Sequence, residues 1–568
     1  MDKSLDRRDF LKGMGLVSAG AVGVGALAAY PLSASGIVGN GIVVPIDRDL
    51  AISPAGDNYP WPANPPEISD ADVEEEVDVD VIVCGLGVSG CAAMRAAAEG
   101  GAKVIAFEKG ATPQCRSSQY AYINGPHSEA WGLHTFTAEE LMDALTEEAR
   151  QMSYAPRFDI WVRWANESAK VLDEWYCDIP GFIMPATKAD FIEQQMGPPA
   201  EGSEAVERVL TLDANMPQAG GTDQGYREFE RAAYPVTVFM SDHQAVLNGQ
   251  VAIAEGLGSE ARFGHFAEKL IKEGDRIVGA YARNAATGKY VKANASKGVI
   301  LTTGDCFGNE DMVRYFRPDM IENEITSQYT NRDVEDNICN TGDGYKMGNW
   351  VGAGIQQHQA SMQHIMGSGA YLRLNKLGKR FMPEDINNVN EEYQIEIQPD
   401  RCYYLIFDSK IGTPEEEQMP GHLMSMFLRN LDSLQLQGET IEELLDKIGD
   451  INKEEALASI ARYNELVAKG FDEDFGKNPR YLTAVNAGPF YAMKVSPSQC
   501  LVMMGGLCSD KEAHVLNTNN EVIPGFYAGG NIQGNRFVNK YPFKFGGCSH
   551  CIAMFYGYVA GQNAAKGV

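Results

Sequence analysis

The stretch VDVDVIVCGLGVSGCAAMRAAAEGGAKVIAFEKG, from Val77 to Gly110, constrains the fold more than any other part of this chain. Val79, Val81, Ile82 and Val83 pass from alternating to continuous apolar residues, the pattern of a strand buried on both faces of a parallel sheet. Cys91 to Ala98 reads as an alanine-rich helix and Val104 to Phe107 as a second strand. Between strand and helix, Gly85 makes the tight turn, Gly87 lets the backbone approach a pyrophosphate, and Gly90 allows close packing of helix on strand. The helix N-terminus adds free N–H groups and a partial positive charge. Glu108 closes the second strand, where an acid holds ribose hydroxyls and argues against a 2′-phosphate. The unit is a dinucleotide site, and the fingerprint alone does not separate NAD from FAD.

Later turns suit one long ligand. KGVILTTGDCFGNEDMVRYF, from Lys297, is a strand followed by Thr303-Gly304, and NTGDGYKMGNWVGAGI sets Asp343 between two glycines ahead of an amphipathic segment. PGFYAGGN ends at Asn531, and GGCSHCIAMFYGYVAGQNAA is a glycine-rich turn entering a helix. Backbone N–H groups at such turns can meet successive parts of a cofactor that spans the sheet.

Size and charge narrow the partners. At about 150 residues per domain, 568 residues allow three or four domains, and 44% hydrophobic with 22% charged residues excludes a disordered chain. Asp and Glu outnumber Lys and Arg by 77 to 48, so a net charge of −29 repels nucleic acid and anionic membranes. Eleven cysteines are too few for a disulfide scaffold, and the odd number leaves at least one thiol unpaired within the chain.

Residues 1–35 have the build of an export signal. Arg7 and Arg8 precede Phe10, Leu11 and Lys12, and no charge follows until Asp47. Five glycines dilute the apolar run from Gly13 to Ala29, so it is weaker than a membrane span of about 20 apolar residues. The paired arginines resemble a twin-arginine signal, a route for folded, cofactor-loaded proteins, with cleavage expected around Ser33, Ala34 and Ser35. A periplasmic or cell-surface location follows from this reading. Residues 36–76, rich in Pro, Asp and Glu and without periodicity, are expected to be a linker that packs late or not at all.

VIVCGLGVSG, ILTTGDCFGNEDM, NTGDGYKMG, LNKLGKRFMPED, ARYNELVAKGFDEDFGKNPRYLTAVNAGPFYAMKV, MMGGL and PGFYAGGN resemble successive signatures of the fumarate reductase/succinate dehydrogenase flavoprotein superfamily, including its ketosteroid dehydrogenase branch. They run from residue 77 to 568. The resemblance implies an α/β fold: a split Rossmann-like FAD-binding domain (77–357 and 496–568) and an inserted α+β capping domain (358–495), with substrate between cap and flavin. It implies non-covalent FAD, since Ser117 and Ser118 stand where covalent members carry a linking histidine. The matching FAD contacts are Gly85, Gly87, Val88, Ser89, Gly90, Glu108, Lys109, Ser117, Ser118, Asn124, Gly125, Ala267, Thr303, Gly304, Asp343, Asn531, Ser549 and Ile552.

Departures from the pattern point to the substrate. The fumarate reductases carry an arginine proton donor after a YLxFD segment, whereas YLIFDSKIGTPEEE puts Gly412 near that place, with no arginine before Arg429. Leu501, Val502 and Met503 replace the residues that hold a carboxylate ahead of Met504-Gly505-Gly506. Burying an unpaired charge against such a wall costs on the order of several kcal/mol, so a large, mainly apolar substrate is expected. Tyr541 and Gly547 are similar to the tyrosine and glycine N–H that hold a substrate carbonyl in ketosteroid dehydrogenases, although NKYPFKFGGCS is about two residues longer. A phenol and an amide aimed at that oxygen stabilise developing enolate charge. Arg536 is the alternative, as the carboxylate-binding arginine of the fumarate reductases.

The expected activity is therefore reduction of an activated C=C bond in an enone, steroid-like or aromatic small molecule. The same site run backward is a dehydrogenase, and a non-catalytic flavin carrier is the reading from a different class. CxxCH is absent, so electrons are expected from a separate haem or FMN carrier, with the membrane reached only through that donor, as in anaerobic respiration. No metal site is expected: Cys548 and Cys551 form an isolated CxxC, read as buried free thiols. His127, His134 and His358 read as ordinary histidines, and His364 as the better pocket candidate. Trp161 and Trp164 read as core, with Trp175 and Tyr176 the aromatic residues expected to face the pocket.

Overall fold

In the computed structural model the fingerprint folds as strand β1 (Val73–Cys84), helix α1 (Val88–Glu99) and strand β2 (Val104–Glu108). The structure describes the chain from Asn64 onward, apart from residues 117–118, 131–134, 155, 183, 185, 188–189, 191–235, 240–242, 323, 328–330, 359, 365–369, 386–393, 411–435, 497–498, 543–544 and 546. Before Asn64 it describes two paired strands, Ser35–Val38 and Ile42–Pro45. The remaining residues of the expected export signal, with Gly412 and Arg429, lie outside the described residues.

The expected structureless linker is corrected at both ends. Besides the paired strands, β1 starts at Val73 rather than Val77. Its acidic segment is held laterally: Glu74 accepts from Asn284, Glu75 pairs with Arg262, and Glu76 with Lys292. Lys269 Nζ donates to Pro66 O at 2.8 Å, which ties the segment before β1 to the sheet.

The central sheet adds β3 (Glu260–Phe263), β4 (His265–Glu273), β5 (Arg276–Asn284), β6 (Tyr290–Leu301), β7 (His514–Leu516) and β8 (Val522–Ala528). Its order is β7-β8-β6-β1-β2-β3, with β5 antiparallel to the first half of β6 and β4 antiparallel to β5. β8, β6, β1, β2 and β3 are parallel. Leu301 stands opposite Cys84 and Ala528, and Cys84 opposite Phe107. Four strands thus end level, and the turns at Gly85, Glu108, Thr302 and Gly529 share the edge where open α/β sheets bind ligands.

Helix α2 (Asp343–Trp350) approaches that edge, and α3 (Cys548–Lys566) lies along α1. Alanine and glycine at the crossing let the backbones meet: a Cβ on Gly561 would stand 2.4 Å from Ala93 O. Helices Ala138–Gln151 and Phe158–Val171 add a layer that buries Trp161 and Trp164.

A second sheet lies within 372–495, inside the span expected for the cap. Strands Leu372–Asn375, Tyr403–Phe407, Phe490–Val495 and Leu436–Gly438 pair antiparallel in that order. Helices Ile441–Ile448 and Lys453–Lys469 pack on it around Leu374, Ile406, Leu444 and Ile460.

Candidate cofactor and active site

The turn after β1 is built by steric necessity. Gly85 has φ +98°, and a Cβ on Gly90 would lie 1.8 Å from Gly85 O, so only glycine lets α1 start this close to the strand. The Glu108 carboxylate accepts from Leu86 N and from Gly110 N, each at 2.7 Å, which braces the turn against the end of β2. Burial pushes its pKa up. Lone pairs remain on both oxygens for ribose hydroxyls.

A cavity of about 550 Å³ opens at this edge. Of the residues expected at a cofactor, Gly85, Gly87, Glu108, Lys109, Ala267, Thr303, Gly304 and Asp343 line it. They come from five segments of the chain. Lys109 Nζ lies 2.9 Å from Asp343 and 3.2 Å from Thr341 Oγ1. Burial opposes ionisation of Asp343, but Lys109 and Lys346 outweigh it and hold the carboxyl below its usual value.

The residues fit a flavin dinucleotide on independent grounds. Ser89 Oγ, in the first turn of α1, and Thr303 Oγ1 are buried with no hydrogen-bond partner among the described residues. Orphaned hydroxyls are costly, and here they sit at a glycine-rich turn and a helix N-terminus, donors suited to a pyrophosphate. Val88 and Ser89 open α1, and Gly529 packs so close to Ser89 that a Cβ there would stand 2.4 Å from its hydroxyl.

Other expected contacts lie elsewhere. Ser117 and Ser118 are outside the described residues. Asn124 uses its side chain on Phe136, donating to the carbonyl and accepting from the N–H, each at 2.8 Å, and neither Asn124 nor Gly125 lines the cavity. Asn531 Oδ1 accepts from Arg536 at 3.3 Å. Ser549 opens α3, and Ile552 is buried in the core beside it.

Tyr541 and Gly547 come together at the N-terminus of α3. Gly547 caps the helix at φ +73°, and the Tyr541 hydroxyl accepts from Ser549 N at 3.4 Å and from Cys548 Sγ at 3.3 Å. Burial raises the phenol well above its ordinary pKa, so it stays protonated. Arg536 is 1% exposed, donates to Gln533 O and Asn531, and leaves Nη1 without a partner among the described residues. Burial pushes its pKa down to about 10, so it is still a cation at neutral pH. Strand Gln499–Met504 buries Val502 and Met504 in the core that holds Tyr541, where Leu501 also packs, and Met503 in a second core.

Arg116 is a residue the sequence reading missed. Its guanidinium pairs with buried Asp305 and donates to Leu501 O at 3.1 Å, joining the segment after β2, the turn after β6 and the apolar strand. Nothing in local sequence pairs positions 189 apart.

Trp175 and Tyr176, expected to face the substrate pocket, make close contacts of their own. Tyr176 is fully buried and bonds the Tyr120 hydroxyl at 2.7 Å, and Trp175 turns to Glu99 and lies under Arg95. A five-residue π-helical turn, Leu172–Tyr176, sets these directions, which a regular helical period does not reproduce. His127 bonds Asp173 at 2.8 Å, and His358 is exposed. His134 and the side chain of His364 lie outside the described residues. Cys548 and Cys551 are buried and free, and no cluster with metal-binding composition occurs among the described residues.

A profile of the family described as FAD binding domain matches residues 80–542. The probable fumarate reductase Ifc3 of Shewanella frigidimarina is 29% identical over 334 residues, 55% of this chain and 51% of that protein. A vinyl phenol reductase of Lactiplantibacillus plantarum is 25% identical over 539 residues, 86% of this chain and 96% of that protein. The chain spans about half the length of Ifc3 and of several other curated relatives it matches. The crystal structure of 3-ketosteroid-Δ4-(5α)-dehydrogenase from Rhodococcus jostii RHA1 with 4-androstene-3,17-dione superimposes at TM-score 0.64 and 20% identity. It covers 88% of this chain and 100% of that one, a likeness of fold.

Proposed function

Because this chain belongs to the FAD binding domain family, we propose that it is an FAD-dependent oxidoreductase that reduces an activated C=C bond in a largely apolar, ring-bearing substrate. The observation that carries the reading is the Tyr541 phenol, buried, protonated and set on the N-terminus of α3 beside Gly547. When bound, the flavin supplies the hydride. Ser549 N–H and the Cys548 thiol donate to the Tyr541 oxygen, and in the reaction the phenol turns its own proton to a substrate carbonyl oxygen. Charge grows on that oxygen as hydride adds to the conjugated carbon, and the adjacent helix N-terminus favours it. The strand Gln499–Met504 supplies apolar surface and no partner for a second carboxylate. Kinship with a protein named vinyl phenol reductase over nearly its whole length, and a fold shared with a ketosteroid dehydrogenase, support a ring beside the reacting bond.

Arg536 supports a second reading. A buried cation whose Nη1 has no partner among the described residues suits one carboxylate, so an unsaturated acid with an apolar remainder is the competing substrate. Either site run backward is a dehydrogenase.

One assay separates these readings. The pure protein is reduced anaerobically with dithionite and offered enones, vinyl phenols, cinnamates and dicarboxylates, and flavin reoxidation is followed by absorbance. Enones or vinyl phenols should reoxidise it fastest. Preference for cinnamates, lost in Arg536→Met, moves the assignment to the acid, and no reoxidation by any compound makes the protein a carrier.

We also propose export by the twin-arginine-type leader and reduction by a separate electron carrier. Arg7-Arg8 ahead of the glycine-diluted apolar run supports the first, and likeness to a protein named fumarate reductase (cytochrome) supports a haem-borne electron supply. Intact mass of the native protein should show a start near Ser35, and a full-length mass in the cytosol would overturn export.

A further inference from the structure

One wall of the nucleotide cavity is a hairpin, residues 331–339, that no motif foretold. Arg332 and Ile338 pair across it, and the Asp333 carboxylate accepts from Glu335 N and Asn337 N, each at 2.9 Å, to hold its turn. It docks on the segment after β2: Val334 N donates to Lys109 O at 3.0 Å, and the Gln114 side chain bonds both backbone groups of Arg332. Its tip is fastened to the opposite side by Arg283 of β5, which pairs with Glu335 on the hairpin at 2.8 Å and with Glu268 of β4 at 2.9 Å. The same guanidinium lies over the Phe266 ring at 4.3 Å. Arg283, Glu335, Glu268 and Ile338 all line the cavity, and Ile338 and Val334 leave 40% and 44% of their surface exposed.

We infer that hairpin 331–339 is a clasp over the nucleotide end of the cofactor, fastened by the Arg283–Glu335 ion pair, and that opening this pair sets the rate of FAD release. The inference rests on the flavin reading of the cavity. Its chemistry follows from the parts. One side of the cavity mouth is rigid sheet, β4 and β5. The other is a short hairpin whose only tie to that sheet among the described ion pairs is Arg283. The pair is partly exposed, so its strength is modest and screened by salt. Ile338, exposed and lining the cavity, offers apolar surface that an adenine ring can cover.

The test uses the FAD-loaded full chain and reads flavin fluorescence after dilution, not turnover. Glu335→Gln and Arg283→Met should release FAD about three- to five-fold faster at low salt. Wild-type release should rise toward the variants' rate in high salt, while theirs stays nearly flat. Arg262→Met, which breaks an ion pair of the same kind on the same sheet outside the cavity, should release FAD at the wild-type rate. Glu335 is exposed enough to be replaced without unfolding, so that variant keeps the test valid if Arg283→Met folds poorly. Equal release rates in wild type and Glu335→Gln at both salts would overturn the clasp and leave the cofactor reading standing. Wild-type protein without stoichiometric FAD would overturn both.

Discussion

At the scale of single residues, the proposed chemistry has two candidates, Tyr541 and Arg536, both buried polar side chains near one helix start. Removing one oxygen separates their roles. Tyr541→Phe should keep fold and FAD content yet lose about 100-fold or more in turnover, measured on FAD-loaded protein with the best acceptor of the panel. Affinity should change less, because charge on the acceptor oxygen grows mainly in the transition state. Near wild-type turnover would make Tyr541 a packing residue and favour Arg536. Tyr120 and Tyr176 would be poor replacements, because their hydroxyls bond each other in the core.

Among the elements, two packings carry stability. Helices α1 and α3 cross through Gly557, Gly561 and the alanines of α1, and no side chain larger than a hydrogen fits at Gly561. Gly561→Leu should therefore cost about 1–3 kcal/mol or more, read as a lower Tm in thermal unfolding, and an unchanged Tm would contradict this crossing. In the cap, Arg380 forks between Glu384 and Asp472, all three buried, with Lys477 beside Glu384. Burial alone would raise the Asp472 carboxyl, but Arg380 and backbone N–H groups bring it down to about 2. A depressed carboxyl stabilises the fold above its unfolded value of 3.8 and loses that contribution as pH falls toward 2. Wild-type stability should thus drop between about pH 4 and pH 2, a limb that is shallower in Asp472→Asn. That variant should also cost about 3–5 kcal/mol at neutral pH, because Arg380 is left buried with one partner fewer.

For the whole molecule, the edge of the sheet offers the cofactor cavity, and strand Gln499–Met504 brings a run of apolar residues to the fold. Acid precipitation should free a yellow supernatant with one FAD per chain, and flavin retained in the pellet would mean a covalent bond. Fumarate should oxidise the reduced protein slowly compared with ring-bearing acceptors, since Leu501, Val502 and Met503 pair with no second carboxylate. Fast fumarate-dependent oxidation of reduced viologen by the pure protein would refute the apolar pocket.

Contiguous residues determined the nucleotide half of this protein. The turn at Gly85, the start of α1 at Gly90 and the acid at Glu108 lie within one strand–helix–strand unit, where backbone sterics and strand period act over a few residues and are written in order along the chain. Thr303, Gly304 and Asp343 were legible for the same reason, each in a short glycine turn. Tertiary structure alone decided which distant side chains meet. Arg116 finds Asp305, Arg283 reaches across the cavity to Glu335, and Arg380 forks to Asp472, each joining segments without a shared local pattern. It also directed Trp175 to Glu99 and Tyr176 to Tyr120, through a π-helical turn that sequence periodicity does not signal. Asn124 followed Phe136 instead of the cavity, because a nearby backbone offered its amide both a donor and an acceptor. Such pairings are set by packing of the whole chain, where burial makes every unmet polar group costly and so selects the one arrangement that meets most of them.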